Sequence, residues 1–144
     1  MSGDSNNCTE NKVVYLQMKK FDLSKEFYKK ASEADPNDPE PYYSVAVIDW
    51  TQSYQPRMEE RAKLGMKPED SLPTKDKKVC AMLRDKNSAA VQDGIDNLNK
   101  ALQPRPDYDD AMAYENLLIR ERADLMDTPE EYKKQIEIAR KYYQ

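Results

Sequence analysis

A ladder of residues occurs twice in this chain. FYKKASEADPNDP carries Tyr28, Ala31 and Pro36, and NLNKALQPRPD carries Leu98, Ala101 and Pro106 in the same spacing. The order is large apolar, small, then proline. Alanine at an interhelical contact lets two backbones approach, and a bulky side chain one turn away fills the adjacent groove. Proline past the last turn cannot continue a helix and ends it. Each ladder is followed by an acidic, turn-forming stretch and then an aromatic-rich helical pattern, PEPYYSVAVIDW and DDAMAYENLLIR. A single hairpin cannot bury its apolar stripe, so units of this kind must stack.

Extended by one position, the copies read Ser24, Tyr28, Ala31, Pro36 and Gly94, Leu98, Ala101, Pro106. This pattern resembles the second helix of a tetratricopeptide repeat (TPR). Tyr15 falls at the aromatic position of the preceding helix, which starts a degenerate first repeat near Cys8. Tyr42, Val45 and Ala46 fit the opening tryptophan, leucine and glycine positions of the next repeat. Met112 fits the opening position of the last one, whereas Glu115 and Asn116 depart from the pattern. The wider sequence, from VIDWTQSYQPRMEERAKLGMKPED to RPDYDDAMAYENLL, is similar to bacterial TPR proteins of uncharacterised role.

The resemblance implies one all-α domain over residues 1–144, a short right-handed TPR-like solenoid of helical hairpins. Residues 1–38 form the degenerate first repeat, 39–106 the second with an insertion, and 107–144 the third repeat and a capping helix. Independently, only 3 glycines and no alternating valine- or isoleucine-rich run argue against a sheet. A hydrophobic fraction of 38% beside a charged fraction of 35% suits a thin array, in which each unit buries surface only against its neighbours. At the C-terminal end, Asp127 or Thr128 can cap a helix that starts at Pro129, with Glu130 and Glu131 favoured in its first turn. Tyr132, Ile136 and Ala139 share one face of that helix.

Pro36 and Pro106 are 70 residues apart, while one repeat unit spans about 34. An insertion of roughly one unit therefore enlarges the middle connection, at about residues 55–87. Pro56 is expected to loosen or kink the end of the preceding helix, and Gly65, Pro68 and Pro73 to bracket a loop. Helical pattern resumes from Asp76 with Val79, Met82 and Leu83. Residues 55–86 hold nine Lys or Arg against six Asp or Glu, and the flanks hold fourteen against twenty-one. The insertion is basic and the scaffold acidic. Repeat-array insertions often form a binding face, which makes Arg57, Arg61, Lys63 and Lys67 candidate contacts for an acidic partner. The plainer alternative is a solvated helix end with a Glu59–Lys63 pair.

On a helical period, Tyr43, Val47, Trp50 and Tyr54 share one face, and Tyr42, Val45, Ala46 and Asp49 share the other. The resemblance places the first set on the concave surface, where Asp110, Ala113, Leu117 and Arg120 are the matching positions of the next helix. An apolar, aromatic stripe receives a partner helix or an extended peptide. The alternative is that Trp50 is buried under the insertion or the N-terminal segment. Some TPR domains grip a C-terminal carboxylate through lysine and asparagine here; Tyr43 and Val47 stand in their place, so that clamp is not implied.

Chemistry has little to work with. There is no histidine, which removes the commonest general base and the usual zinc ligands. Asp35, Asn37 and Asp38, like Asp107, Asp109 and Asp110, belong to turns that cap the following helix, and they lack the spacing of a calcium loop. An acid and base pair at Glu59 and Glu60 has no identifiable partner group. No catalytic residue, metal site or cofactor is expected. Cys8 and Cys80 are expected as free thiols. No apolar run of membrane-spanning length and no signal region is evident, so the chain as written reads as cytoplasmic, or as exported if a leader has been removed.

The expectation is a non-enzymatic interaction module whose partner is another protein or peptide. RNA binding through the basic insertion is the alternative from a different class, disfavoured by a sequence pI near 5.0. A structural, self-associating module is the third reading.

Overall fold

A computed structural model describes the backbone of residues 2–142 and the side chains of residues 17–142. The described residues form six helices and no strand: α1 (Ser2–Ala34), α2 (Pro39–Lys63), α3 (Leu72–Lys75), α4 (Lys77–Leu102), α5 (Asp109–Ala123) and α6 (Pro129–Tyr142). The fold is all-α. Packing follows chain order, α1 on α2, α2 on α4, α4 on α5 and α5 on α6, with α2 also against α5 and short α3 resting on α4 and α6.

Local chemistry sets most of the boundaries. Asp38 caps α2 by accepting the Glu40 N–H at 3.0 Å, and Pro39 follows at the first helical position, where its missing N–H has no intrahelical partner. Asp76 caps α4 through the N–H groups of Lys78 and Val79. At α6, Thr128 Oγ1 accepts the Glu131 N–H while the Glu131 carboxylate accepts the Asp127 N–H. This is a reciprocal arrangement of the capping-box type. At α5 the cap position is Tyr108, without a side-chain cap, and Asp109 and Asp110 lie in the first turn. Asp107 does not take the capping role expected of it.

Both copies of the ladder are helical, with unequal burial. In α4, Leu98 and Ala101 are fully buried. A Cβ added to Gly94 would stand 2.8 Å from Leu118 Cδ1 and 3.1 Å from Asp49 Cβ, so this glycine is what brings α4 against both α2 and α5. In α1, Ser24, Tyr28 and Ala31 are only half-buried. The expected first hairpin is not formed: α1 is one unbroken helix through residues 2–34. The side chains of Cys8 and Tyr15 lie outside the described residues.

In the insertion, α2 runs on past Pro56 for two further turns to Lys63. Those turns carry Arg57 and Arg61, whose anchoring on the next hairpin holds the helix together on the far side of the proline. Gly65 then closes the helix at φ +63, with its N–H bonded to Ala62 O and the Met66 N–H to Arg61 O. That is a Schellman ending, and it requires the left-handed conformation that glycine adopts without steric cost. Leu72 and Pro73, expected in a loop, are buried in α3. Most of the insertion therefore lengthens the two helices of the middle hairpin.

No helix among the described residues is long and apolar enough to cross a membrane. Cys80 is a free, buried thiol.

Candidate functional site

The face expected to bind is assembled where α2 and α5 meet. Tyr43 makes edge contacts with Tyr108 at 5.3 Å and Tyr114 at 5.5 Å between ring centroids. Trp50 meets Tyr114 edge-on at 5.8 Å and stacks on Tyr54 at 4.6 Å. Tyr114 thus joins the two ends of the α2 stripe into one aromatic ladder. Such offset and edge pairs add roughly 0.5–1.5 kcal/mol each beyond burial, so the rings are held by one another within the fold.

Tyr43, Val47 and Trp50 are half-buried, as are Ala113, Leu117 and Arg120 across on α5. Trp50 packs on the core and stays half-buried. Tyr54 keeps 38% of its surface in solvent, and Met58, one turn further along α2, keeps 37%. Arg120 is steered by its own helix, donating from Nε to Asn116 Oδ1 at 3.0 Å.

At the near end of the ladder the Tyr108 hydroxyl donates to Glu40 Oε1 at 2.7 Å. Burial and that carboxylate raise the pKa of Tyr108, and burial with Tyr114 close by raises that of Tyr43. Both phenols stay protonated. Tyr108, Tyr114 and Met58 were missed by sequence reasoning. Tyr114 and Met58 each lie one turn from an expected site residue, so the helical period would have found them.

The basic insertion behaves otherwise. Arg57 pairs with Glu121 through Nε and with Asp124 through Nη1 at 2.6 Å, and its guanidinium lies 5.9 Å from the Tyr54 ring centre. Arg61, 4% exposed, donates to Asp124 Oδ2 at 2.9 Å and to the carbonyls of Lys67 and Pro68. The Leu72 N–H and the Cys80 thiol also donate to Asp124, at its carboxylate and its carbonyl. Arg57 and Arg61 are corrected accordingly: desolvation favours satisfying a buried guanidinium within the fold, and these two cations brace α2 against the end of α5. Lys63 and Lys67 are exposed; Lys63 pairs with Glu60 at 3.2 Å, one residue away from the Glu59 expected.

The braced region holds unusual acids. Burial pushes Glu121 up to about 7 against the pull of Arg57, and burial does the same to Glu115 against Arg122. Glu115, at a position the repeat pattern gives to leucine, is fully buried with neither carboxylate oxygen hydrogen-bonded. Asn116, the other departure from the pattern, donates to Ala139 O at 2.6 Å and ties α6 to α5. Among the described residues no three acidic, cysteine or histidine side chains cluster as metal ligands would.

The chain matches no family model, no curated protein and no solved structure.

Proposed function

We propose that this chain is a non-enzymatic interaction module, a short TPR-like solenoid that holds a peptide or helix of another protein along the joined faces of α2 and α5. The observation that carries the reading is the aromatic ladder Tyr43, Tyr114, Trp50 and Tyr54. It spans two helices, is fixed by its own ring contacts, and leaves Tyr54 and Met58 open to solvent beside half-buried Val47 and Leu117. Preorganised aromatic side chains contribute heavily to binding because little freedom is lost when a partner docks. The charges stand at the ends of the face, Asp110 and Glu40 beside Tyr43 and Arg120 on α5, and the rings with Val47 and Leu117 suit an apolar side-chain ladder on the partner.

In this account the insertion is a brace. By seating Arg57 and Arg61 on Asp124, it keeps the second half of α2 beside α5 and so keeps Tyr54 and Met58 in line with Leu117. The RNA alternative loses support for the same reason, since two of its four cations are committed inside the fold.

The test is affinity capture with the purified chain as bait, wild type beside a Tyr54→Ala, Leu117→Ala double variant. A protein held by wild type and released by the variant, with the helical circular dichroism of both unchanged, supports the reading. Equal capture by both baits refutes it.

A further inference from the structure

The two ends of the array differ in chemistry. The outer surface of α6 is charged, with Glu130, Glu131, Lys133, Lys134, Glu137 and Arg140 all exposed. On α1, at the other end, Leu23 is 57% and Phe27 67% exposed. Scattered exposed apolar side chains are ordinary, but the internal repeat gives these two a meaning. The 70-residue offset between the ladders sets Leu23 and Phe27 on Asp93 and Asn97 of α4. Asp93 and Asn97 of α4 look toward α1 across a cleft, Asp93 pairing with Lys29 at 3.5 Å and both lining the cleft with Lys29 and Ser32. By the chain's own repeat, Leu23 and Phe27 therefore occupy the face that α4 turns toward α1, and in α1 that face is open to another helix.

We propose that this helix is α1 of a second copy, packed antiparallel about a two-fold axis near Leu23. Head-to-tail stacking would set Leu23 and Phe27 against the charged face of α6, which offers no apolar complement. A two-fold contact needs a patch that complements itself, and α1 has one. Lys19 and Glu26, both exposed, lie on the same flank of the helix, four residues before and three after Leu23. A two-fold axis beside Leu23 sets Lys19 opposite Glu26 of the second copy, and Glu26 opposite its Lys19, while Leu23 meets Leu23. Among the described residues Glu26 pairs with Lys30 at 3.6 Å, in an exposed i,i+4 pair. α1 is also long enough for the contact, about 50 Å at roughly 1.5 Å per residue against about 38 Å for α2. The bonds that hold α1 to its own chain, Lys25 to Asp49 and Lys29 to Asp93, lie on the inner face and are left intact.

The test is sedimentation equilibrium of the full chain from micromolar to submillimolar concentration, with circular dichroism to confirm folding. Wild type forms a reversible dimer. Lys19→Glu and Glu26→Lys each set like charges opposite one another twice and weaken dimerisation by about 10-fold. The double variant, with both charges exchanged, restores it to near the wild-type constant, which a merely structural role for either residue would not do. Leu23→Glu abolishes the dimer without loss of helicity. A wild type that stays monomeric throughout overturns the proposal. So does a dimer indifferent to Leu23→Glu, or one that the charge exchange fails to restore.

Discussion

Arg61 and Asp124, 63 residues apart in sequence, meet at 2.9 Å with both side chains almost entirely removed from water. Asp124 also holds Arg57 and the Leu72 N–H, so one carboxylate ties α2 and the α3 segment to the end of α5. Removing one member of a buried pair strands the other, which costs roughly 3–5 kcal/mol. Asp124→Ala is therefore expected to lower the unfolding free energy by about that amount, read from the urea midpoint. Lys63→Ala, at an exposed pair, should shift it by less than about 1 kcal/mol.

Gly94 is expected to resist even the smallest side chain. Alanine favours a helix by about 1 kcal/mol over glycine, yet here its Cβ would meet Leu118 at 2.8 Å and Asp49 at 3.1 Å. Leu118 is fully buried, and the Asp49 contact is to its Cβ, next to the backbone. Overpacking of this kind costs roughly 1–3 kcal/mol. Gly94→Ala should lower the thermal midpoint, whereas the same change at a solvent-facing helix glycine would raise it.

Three carboxyls give the fold a defined pH dependence. Burial, together with the neighbouring Asp93, pushes Asp49 up to about 8 despite Lys25, and burial holds Glu115 and Glu121 at about 7. The unfolded chain releases these protons near pH 4. The folded chain therefore binds more protons between about pH 4 and pH 8, and its stability declines as the pH rises through that window. Thermal midpoints should be higher near pH 5 than near pH 8. Glu115→Gln, which removes one such group, should shrink that difference and stabilise the protein near pH 8 by roughly 1–3 kcal/mol.

The docking of α1 rests heavily on polar contacts. Lys25 Nζ reaches Asp49 Oδ1 at 3.1 Å and Gln52 Oε1 at 2.9 Å, while Leu23 and Phe27 point away. Lys25→Ala should speed amide hydrogen exchange in the second half of α1 and leave α4 and α5 unchanged, because α1 opens as a local unit. An effect spread evenly over all helices would show instead that α1 is integral to the cooperative core.

The all-helical class was legible in two ladders and in the shortage of glycine, because small residues at helix crossings and proline at helix ends act locally. The caps at Asp38 and Thr128 were legible for the same reason. The two turns of α2 beyond Pro56 were not legible, because local rules weigh a lost hydrogen bond but not the anchoring of Arg57 and Arg61 just beyond it. The charge count of the insertion misled in a related way: Glu121 and Asp124 lie over sixty residues from their arginines, and composition carries no sign of that pairing. The α2 stripe of Tyr43, Val47, Trp50 and Tyr54 followed from the helical period alone. Tyr114 was passed over although the period includes it, since its importance comes from two ring contacts across helices.

Engagement of another protein by the proposed α2 and α5 face is open to site-directed photo-crosslinking. A photoreactive phenylalanine derivative is placed at Tyr54, at Leu117 and, as a control on the opposite side, at Gln92, and the cells producing each variant are irradiated. A binding face there gives one discrete adduct shared by positions 54 and 117 and absent from position 92. No adduct at 54 and 117, or the same adducts from all three positions, rules that face out.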